Sequence, residues 1–324
     1  MKETFPDDDI GYAAQRLRSK HVKLLWDLTI YLVAPDEGTL EVLLDIYERS
    51  CDRRDRSLYF IAETLQWESS QEPVLTDSGR LAAAQGDPLA YLAPLRLRLR
   101  DARPFALGFW DGRTIDDPNG SRSFSFQGVK GPDGKVRSFV RFLLPLEAPF
   151  DLMRDLAASI APKLPFLSGH GGLSFVYDPW NADLAFDAIY AGARRFWSVD
   201  IESLSATLPA MDHSIKGVSW LTMLGHTMAA DGRVAPALAG LRSAGHQQIQ
   251  LMEFAHGSVL LAGTRPCAGD RHRGTVDIAP QVALAKVLQP LIVDEHADFP
   301  GSRFAENGNT VGWLRRFVDP KGWS

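Results

Sequence analysis

The chain has 324 residues, enough for one large domain or two of about 150 residues each. With 45% hydrophobic and 23% charged residues it has the composition of a soluble globular protein with a sizeable core. The formal charge of −5 argues against nucleic acid as the default partner. No window approaches the ~20 apolar residues that span a bilayer. The first residues, M-K-E-T-F-P-D-D-D-I, are acidic where a signal peptide is apolar. The expected location is therefore the cytoplasm, with no membrane partner. Cys51 and Cys267 lie far apart and could be bridged, but a pair of reduced thiols is the simpler expectation.

Residues 1–20 are polar and are expected to fray. Leu24 to Val33 is rich in β-branched and aromatic residues and predicts a strand. Pro35-Asp36-Glu37-Gly38 turns it into a helix with Leu40, Leu43, Leu44 and Tyr47 on one face. Asp52 to Arg56 is a mixed charge run expected in a solvated loop. Leu58 to Trp67 predicts a strand. Leu95-Arg96-Leu97-Arg98-Leu99-Arg100 alternates strictly, the pattern of a half-buried strand. Pro104 to Trp110 is a further strand, followed by a polar loop from Asp111 to Gly120. Ser123–Val129 and Val136–Leu144 form a hairpin around Gly131-Pro132-Asp133-Gly134, and a helix follows from Pro149 to Ala161.

The stretch from Ser168 to Leu204 organises the rest. It opens on Gly169-His170-Gly171-Gly172, expected to be a glycine turn, and runs into an apolar strand from Leu173 to Tyr177. Asp178-Pro179-Trp180-Asn181 supplies a turn and a helix N-cap. From Ala182, residues Ala185, Phe186, Ile189, Tyr190, Ala193, Phe196 and Trp197 recur at helical spacing. Beyond it, Gly217 to Gly225 predicts a strand, Val234 to Ser243 a helix, and Gln248–Phe254 with Ser258–Ala262 a second hairpin. A helix from Pro280 to Val293 and an aromatic, glycine-rich tail complete the chain. Hairpin followed by helix thus occurs twice, at 123–161 and 248–293, which suggests two similar halves without sequence identity.

The fold class is α+β: mostly antiparallel sheets packed against helices. The expected organisation is a frayed segment 1–20, an N-terminal half 21–165 and a C-terminal half 166–324 continuous with the first.

Sequence signals for chemistry are sparse. His170-Gly171-Gly172 invites comparison with an esterase oxyanion loop, but there is no G-x-S-x-G elbow to go with it. Neither a phosphate-binding nor a dinucleotide-binding glycine motif is present. The eight histidines contain no H-x-x-x-H and the cysteines no C-x-x-C, so zinc-ligand spacing is missing. Asp294-Glu295-His296-Ala297-Asp298 is the densest group of possible metal ligands, though the end of a helix is commonly this polar. No catalytic, cofactor or metal residues are assigned.

Several segments together do resemble a known family. They are G-G-L-S-F-V-Y-D, A-R-R-F-W-S-V-D-I-E, K-G-V-S-W-L-T-M-L-G, D-F-P-G-S-R-F and W-L-R-R-F, spanning residues 168–317. They are similar to a bacterial family first catalogued as a domain of unknown function and then described as type VI secretion immunity proteins. The resemblance implies a cytoplasmic, non-enzymatic antitoxin that binds a cognate toxin, in some members a nuclease whose active site is occluded. It implies no cofactor, no small-molecule substrate and no nucleic-acid partner. If the toxin is a nuclease with a positive surface, acidic and aromatic loops are the expected contacts. The candidates are Trp110, Asp111, Asp116 and Asp117, and after them Asp294, Glu295 and Asp298. Two other classes stand beside this reading. One is a hydrolase assembled from dispersed residues, for example His170 with Asp178 and Asp200; the other is an adaptor of the secretion machinery.

Overall fold

The computed structural model describes residues 9–17, 19, 21–50, 58–61, 92–110, 123–131, 133–177, 181–244, 246–272 and 278–323. Its elements in chain order are α1 (Asp9–Leu17), β1 (Val22–Leu32), α2 (Glu37–Ser50), β2 (Leu58–Ile61), α3 (Leu92–Arg100), β3 (Phe105–Trp110), β4 (Ser123–Lys130), β5 (Val136–Leu144), α4 (Asp151–Ile160) and β6 (Phe166–Tyr177). There follow α5 (Ala182–Arg195), β7 (Asp200–Ile201), α6 (Leu204–Thr207), β8 (Leu221–Gly225), α7 (His226–Ala229), α8 (Ala235–Ala244), β9 (Ile249–Phe254), β10 (Gly257–Ala262), α9 (Ala279–Leu288), α10 (Ser302–Ala305), α11 (Asn309–Leu314) and α12 (Pro320–Trp323). No helix among the described residues is long and apolar enough to cross a membrane.

The strands join in one sheet of order β2-β3-β4-β5-β1-β6-β8-β10-β9, with β7 beside β6. Every pairing is antiparallel except that of β6 with β7. This is the expected α+β architecture. Both predicted hairpins are present, β4–β5 and β9–β10, each followed in sequence by a helix, α4 and α9. At the centre lies β1, which pairs Trp26 with Leu144 on one side and with Leu173 on the other.

Successive residues of β1 face opposite sides, and both sides are covered. Trp26, Leu28, Ile30 and Leu32 enter the main core with Leu40 and Leu43 of α2, Met153 and Leu156 of α4, and Phe186 and Ile189 of α5. Tyr31, on the other face, joins a smaller apolar group with Phe139, Val129, Leu208 and Met211. Between them, Asp27 and Thr29 bring polar groups to the middle of that second face, where both are buried.

Helix α2 starts on a reciprocal cap. Asp36 Oδ1 accepts hydrogen bonds from the Thr39 backbone N–H (2.8 Å) and hydroxyl (2.9 Å), while the Asp36 N–H donates to Thr39 Oγ1 at 3.1 Å. Those donors hold the Asp36 carboxyl below its ordinary pKa.

The structure corrects several sequence expectations. Leu95 to Arg100 is helix, not strand. Leu and Arg both favour helix, and no β-branched residue lies in the stretch. Leu92, Leu95 and Leu99, at i, i+3 and i+7, are the buried ones. Arg96 and Arg100 reach Glu41 and Glu37 of α2, so the tertiary partner selects the 3.6-residue period.

The Gly169–Gly172 run is not a turn but the interior of β6. A Cβ on Gly169 would sit 2.9 Å from the Thr29 carbonyl oxygen, so glycine allows close approach of two backbones. Within the stretch expected to fray, residues 9–17 form α1, pinned where Asp9 Oδ2 accepts the Ala268 N–H at 2.8 Å. The strand expected over 217–225 is confined to β8. The helix expected to reach Val293 ends at Leu288, and a 3-10 turn over Gln289–Leu291 follows, with Pro290 inside it. Asn181 makes no side-chain cap on α5. The Asp52–Arg56 run, most of the predicted Leu58–Trp67 strand and Cys51 lie outside the described residues.

Candidate functional site

The buried polar face of the sheet gathers charges from distant parts of the chain. β6 presents His170. β7 and the residue after it present Asp200 and Glu202, which lie two apart in an extended segment and so share a face. Lys216 arrives from the segment after Ile215, which is fixed by backbone bonds from Ile215 N to Leu291 O and from Val293 N to Ile215 O. All four side chains are buried.

Lys216 Nζ lies 2.8 Å from Asp200 Oδ2 and 3.1 Å from Glu202 Oε2. His170 Nε2 lies 3.0 and 2.8 Å from the same two oxygens. Its N–H is aligned squarely on neither, so that contact is chiefly ionic. Burial and the Lys216 charge oppose protonation of His170. The two carboxylates outweigh them and raise its pKa to about 9. Burial would push the carboxyls of Asp200 and Glu202 up, but Lys216 and His170 hold both well below the ordinary range. Two cations thus balance two anions.

Arg316 lines the same crevice and is buried too. It donates to the carbonyls of Trp197 (2.6 Å) and Trp313 (2.9 Å) and stacks 3.9 Å from the Trp313 ring centroid. Burial lowers its pKa to about 9, which still leaves it charged at neutral pH. Farther along the face, Arg141 donates to Asp27 Oδ2 at 2.6 and 2.9 Å, and Thr29 donates to Asp27 Oδ1 at 2.8 Å.

Among the described residues, His170, Asp200 and Glu202 form a group able to hold a metal, with one ligand atom each within 4.8 Å of one another. An imidazole and two carboxylates suit a divalent cation. The Lys216 ammonium, however, already contacts a ligand oxygen of each carboxylate. The hydrolase arrangement fares similarly. His170 and Asp200 do meet, but a histidine protonated at neutral pH is not a general base, and the crevice has no room for a water molecule. Asp178 lies outside the described residues. The cluster reads as a buried ionic core that ties β6, β7 and the 216–219 segment together.

The other sequence candidates fall elsewhere. Trp110 ends β3, its backbone paired with Leu58 and Ser123; Asp111, Asp116 and Asp117 lie outside the described residues. Asp294 is exposed and pairs with Arg315, while Glu295 and Asp298 are exposed. His296 turns inward instead. Its Nδ1 lies 2.6 Å from Ala297 O, its Nε2 lies 3.3 Å from Thr207 Oγ1, and its ring packs on Phe299. Burial lowers the His296 pKa to about 4, so the loop is purely acidic at neutral pH. Glu202, Lys216 and Arg316 were not singled out by sequence. The available signal was a charge inside each apolar run: V-D-I-E, S-I-K-G-V and L-R-R-F.

No curated protein matches the chain. A solved structure, the Pseudomonas aeruginosa T6SS protein PA0821, is similar over 92% of this chain and 82% of its own, with a TM-score of 0.67. At 20% identity that likeness is one of fold. Residues 115–317, from just before β4 to just past α11, match the family TsiV, described as type VI immunity for VRR-NUC. That span holds the whole ionic cluster and most of the sheet, and the chain belongs to this family of type VI immunity proteins.

Proposed function

We propose that the chain neutralises a cognate type VI effector whose toxic domain is a VRR-NUC nuclease, by binding that domain in the cytoplasm and covering its active site. The observation that carries this reading is the family match over residues 115–317. The charge of −5 suits it, since a nuclease must present positive potential to hold phosphate and an acidic inhibitor gains association rate from it. The inhibitor acts through its surface, without catalysis of its own, on a scaffold held rigid by the buried ionic core.

The test is to mix the purified chain with the effector domain encoded beside it and follow cleavage of DNA. Nuclease activity should fall linearly with added chain and reach zero at a fixed stoichiometry, with the two proteins eluting together. Unchanged cleavage and separate elution would sink the proposal. Loss of activity that needs only a catalytic trace of the chain would point to an enzyme instead.

A further inference from the structure

Several carboxylates at the described surface carry a cation: Asp45 has Arg49, Asp231 has Arg233 and Glu253 has Arg242. Helix α5 and the loop that leads into Phe299 together hold four that do not. Asp183 and Asp187 on α5, and Glu295 and Asp298 in the loop, are exposed and make no ion pair among the described residues.

The segment that directly follows the loop packs on the buried side of α5. The Phe186 ring meets Phe299 and Phe304, with centroids 6.3 and 5.8 Å away. Gly301 lies so close that a Cβ there would come 2.9 Å from the Phe186 Cβ. With Ala185, Phe186, Ile189 and Ala193 buried, α5 turns Asp183, Leu184 and Asp187 outward. Leu184 is 61% exposed, more than Leu97 or Val33, the other large apolar side chains on the described surface. Asp183 gains from the positive end of the helix, but Asp187 sits a turn further on and does not. Like charges at i and i+4 repel, and an exposed leucine contributes nothing to the fold. In the free protein this face is a cost without a return.

Resting on the function proposed above, we infer that the outer face of α5, together with the 295–298 loop, is the surface that meets the basic, phosphate-binding face of the effector nuclease. The carboxylates take the place of backbone phosphates, and Leu184 supplies the apolar anchor that such a charged interface needs at its centre. Charge at this face would set how fast the two proteins meet, and the leucine how long they stay together.

Surface-immobilised effector domain would be titrated with wild type, Asp187→Lys/Asp298→Lys, the shape-preserving Asp187→Asn/Asp298→Asn, Leu184→Asp, and Glu147→Lys as a control on an exposed carboxylate elsewhere. The charge reversal should slow association by about 10-fold at low salt and flatten its salt dependence, with the neutral pair in between. Leu184→Asp should raise the dissociation rate by about 10-fold, and Glu147→Lys should leave both rates alone. All these side chains are exposed, so melting temperatures should stay together. Wild-type rates in the α5 variants, or an equal loss in Glu147→Lys, would overturn the assignment of this face while leaving the immunity reading intact. A wild type that binds no effector would overturn both.

Discussion

Lys216 Nζ sits 2.8 Å from Asp200 Oδ2 and 3.1 Å from Glu202 Oε2, the same two oxygens that His170 Nε2 meets. Deleting the ammonium leaves two buried carboxylates facing a single histidine. Lys216→Ala is expected to lose about 3–5 kcal/mol of stability, the usual result of removing one partner from a buried ionic group. It also frees three ligand groups. Zinc should raise the melting temperature of Lys216→Ala and leave that of wild type unchanged. A variant as stable as wild type, or one indifferent to zinc, would show that the cluster is looser than the distances say.

Stability should peak between two limbs in pH. His170 has a pKa raised to about 9, so its contribution is complete below the unfolded value near 6.5 and is lost as pH climbs through 9. His296, lowered to about 4, works the other way: its contribution is complete above 6.5 and falls away as pH drops toward 4. The lowered carboxyls of Asp200 and Glu202 extend that acid limb below pH 4. Each limb has a slope of at most about 1.4 kcal/mol per pH unit for one proton. Denaturant melts of His170→Gln should lose the slope between pH 6.5 and 9 and keep the acid limb. A variant that retains the alkaline slope would assign it to another group.

Trp197 closes the gap between α5 and the C-terminal tail. It is buried, its carbonyl accepts from Arg316 at 2.6 Å, and Arg271 stacks on its ring at 3.9 Å. Trp197→Ala should cost about 3–5 kcal/mol, read as a shift in the denaturation midpoint at unchanged slope. An unaltered midpoint would mean that the ring is not in the core.

The α3 segment separates two periods cleanly. In a strand, Leu95, Leu97 and Leu99 would share one fate. In the helix Leu95 is fully buried and Leu97 is 50% exposed. Leu95→Ala should therefore destabilise by about 2–5 kcal/mol, whereas Leu97→Ala should cost under about 1 kcal/mol. Equal costs would restore the strand.

Elements whose signal is local were legible in the sequence. β1, both hairpins and α5 carry dense apolar runs bounded by Gly, Pro, Asp or Asn, and the structure places them where those runs lie. The failures came where a distant partner decides. Leu95 to Arg100 satisfies two periods at once, and its helix propensity together with the reach of Arg96 and Arg100 to Glu41 and Glu37 of α2 selects the helical one. The glycines of β6 read as a turn because the close approach of Thr29 is invisible in one dimension. His170 and Asp200 were named together, but as a hydrolase. Lys216, which changes that meaning, sits in a third segment whose position depends on the Ile215 backbone bonds.

The position of β1 at the centre of the sheet has a consequence for how the protein is made. Val22 to Leu32 leaves the ribosome well before its neighbours: β5 follows about 100 residues later and β6 about 135. At roughly 5–20 residues per second, this apolar strand waits about 5–30 s for a partner. During that interval V-K-L-L-W-D-L-T-I-Y-L is an open edge that another nascent chain could pair with. Neither flank of β1 is covered before β5 and β6 have emerged, so the pace of translation between Leu32 and Tyr177 sets how long that edge stays open.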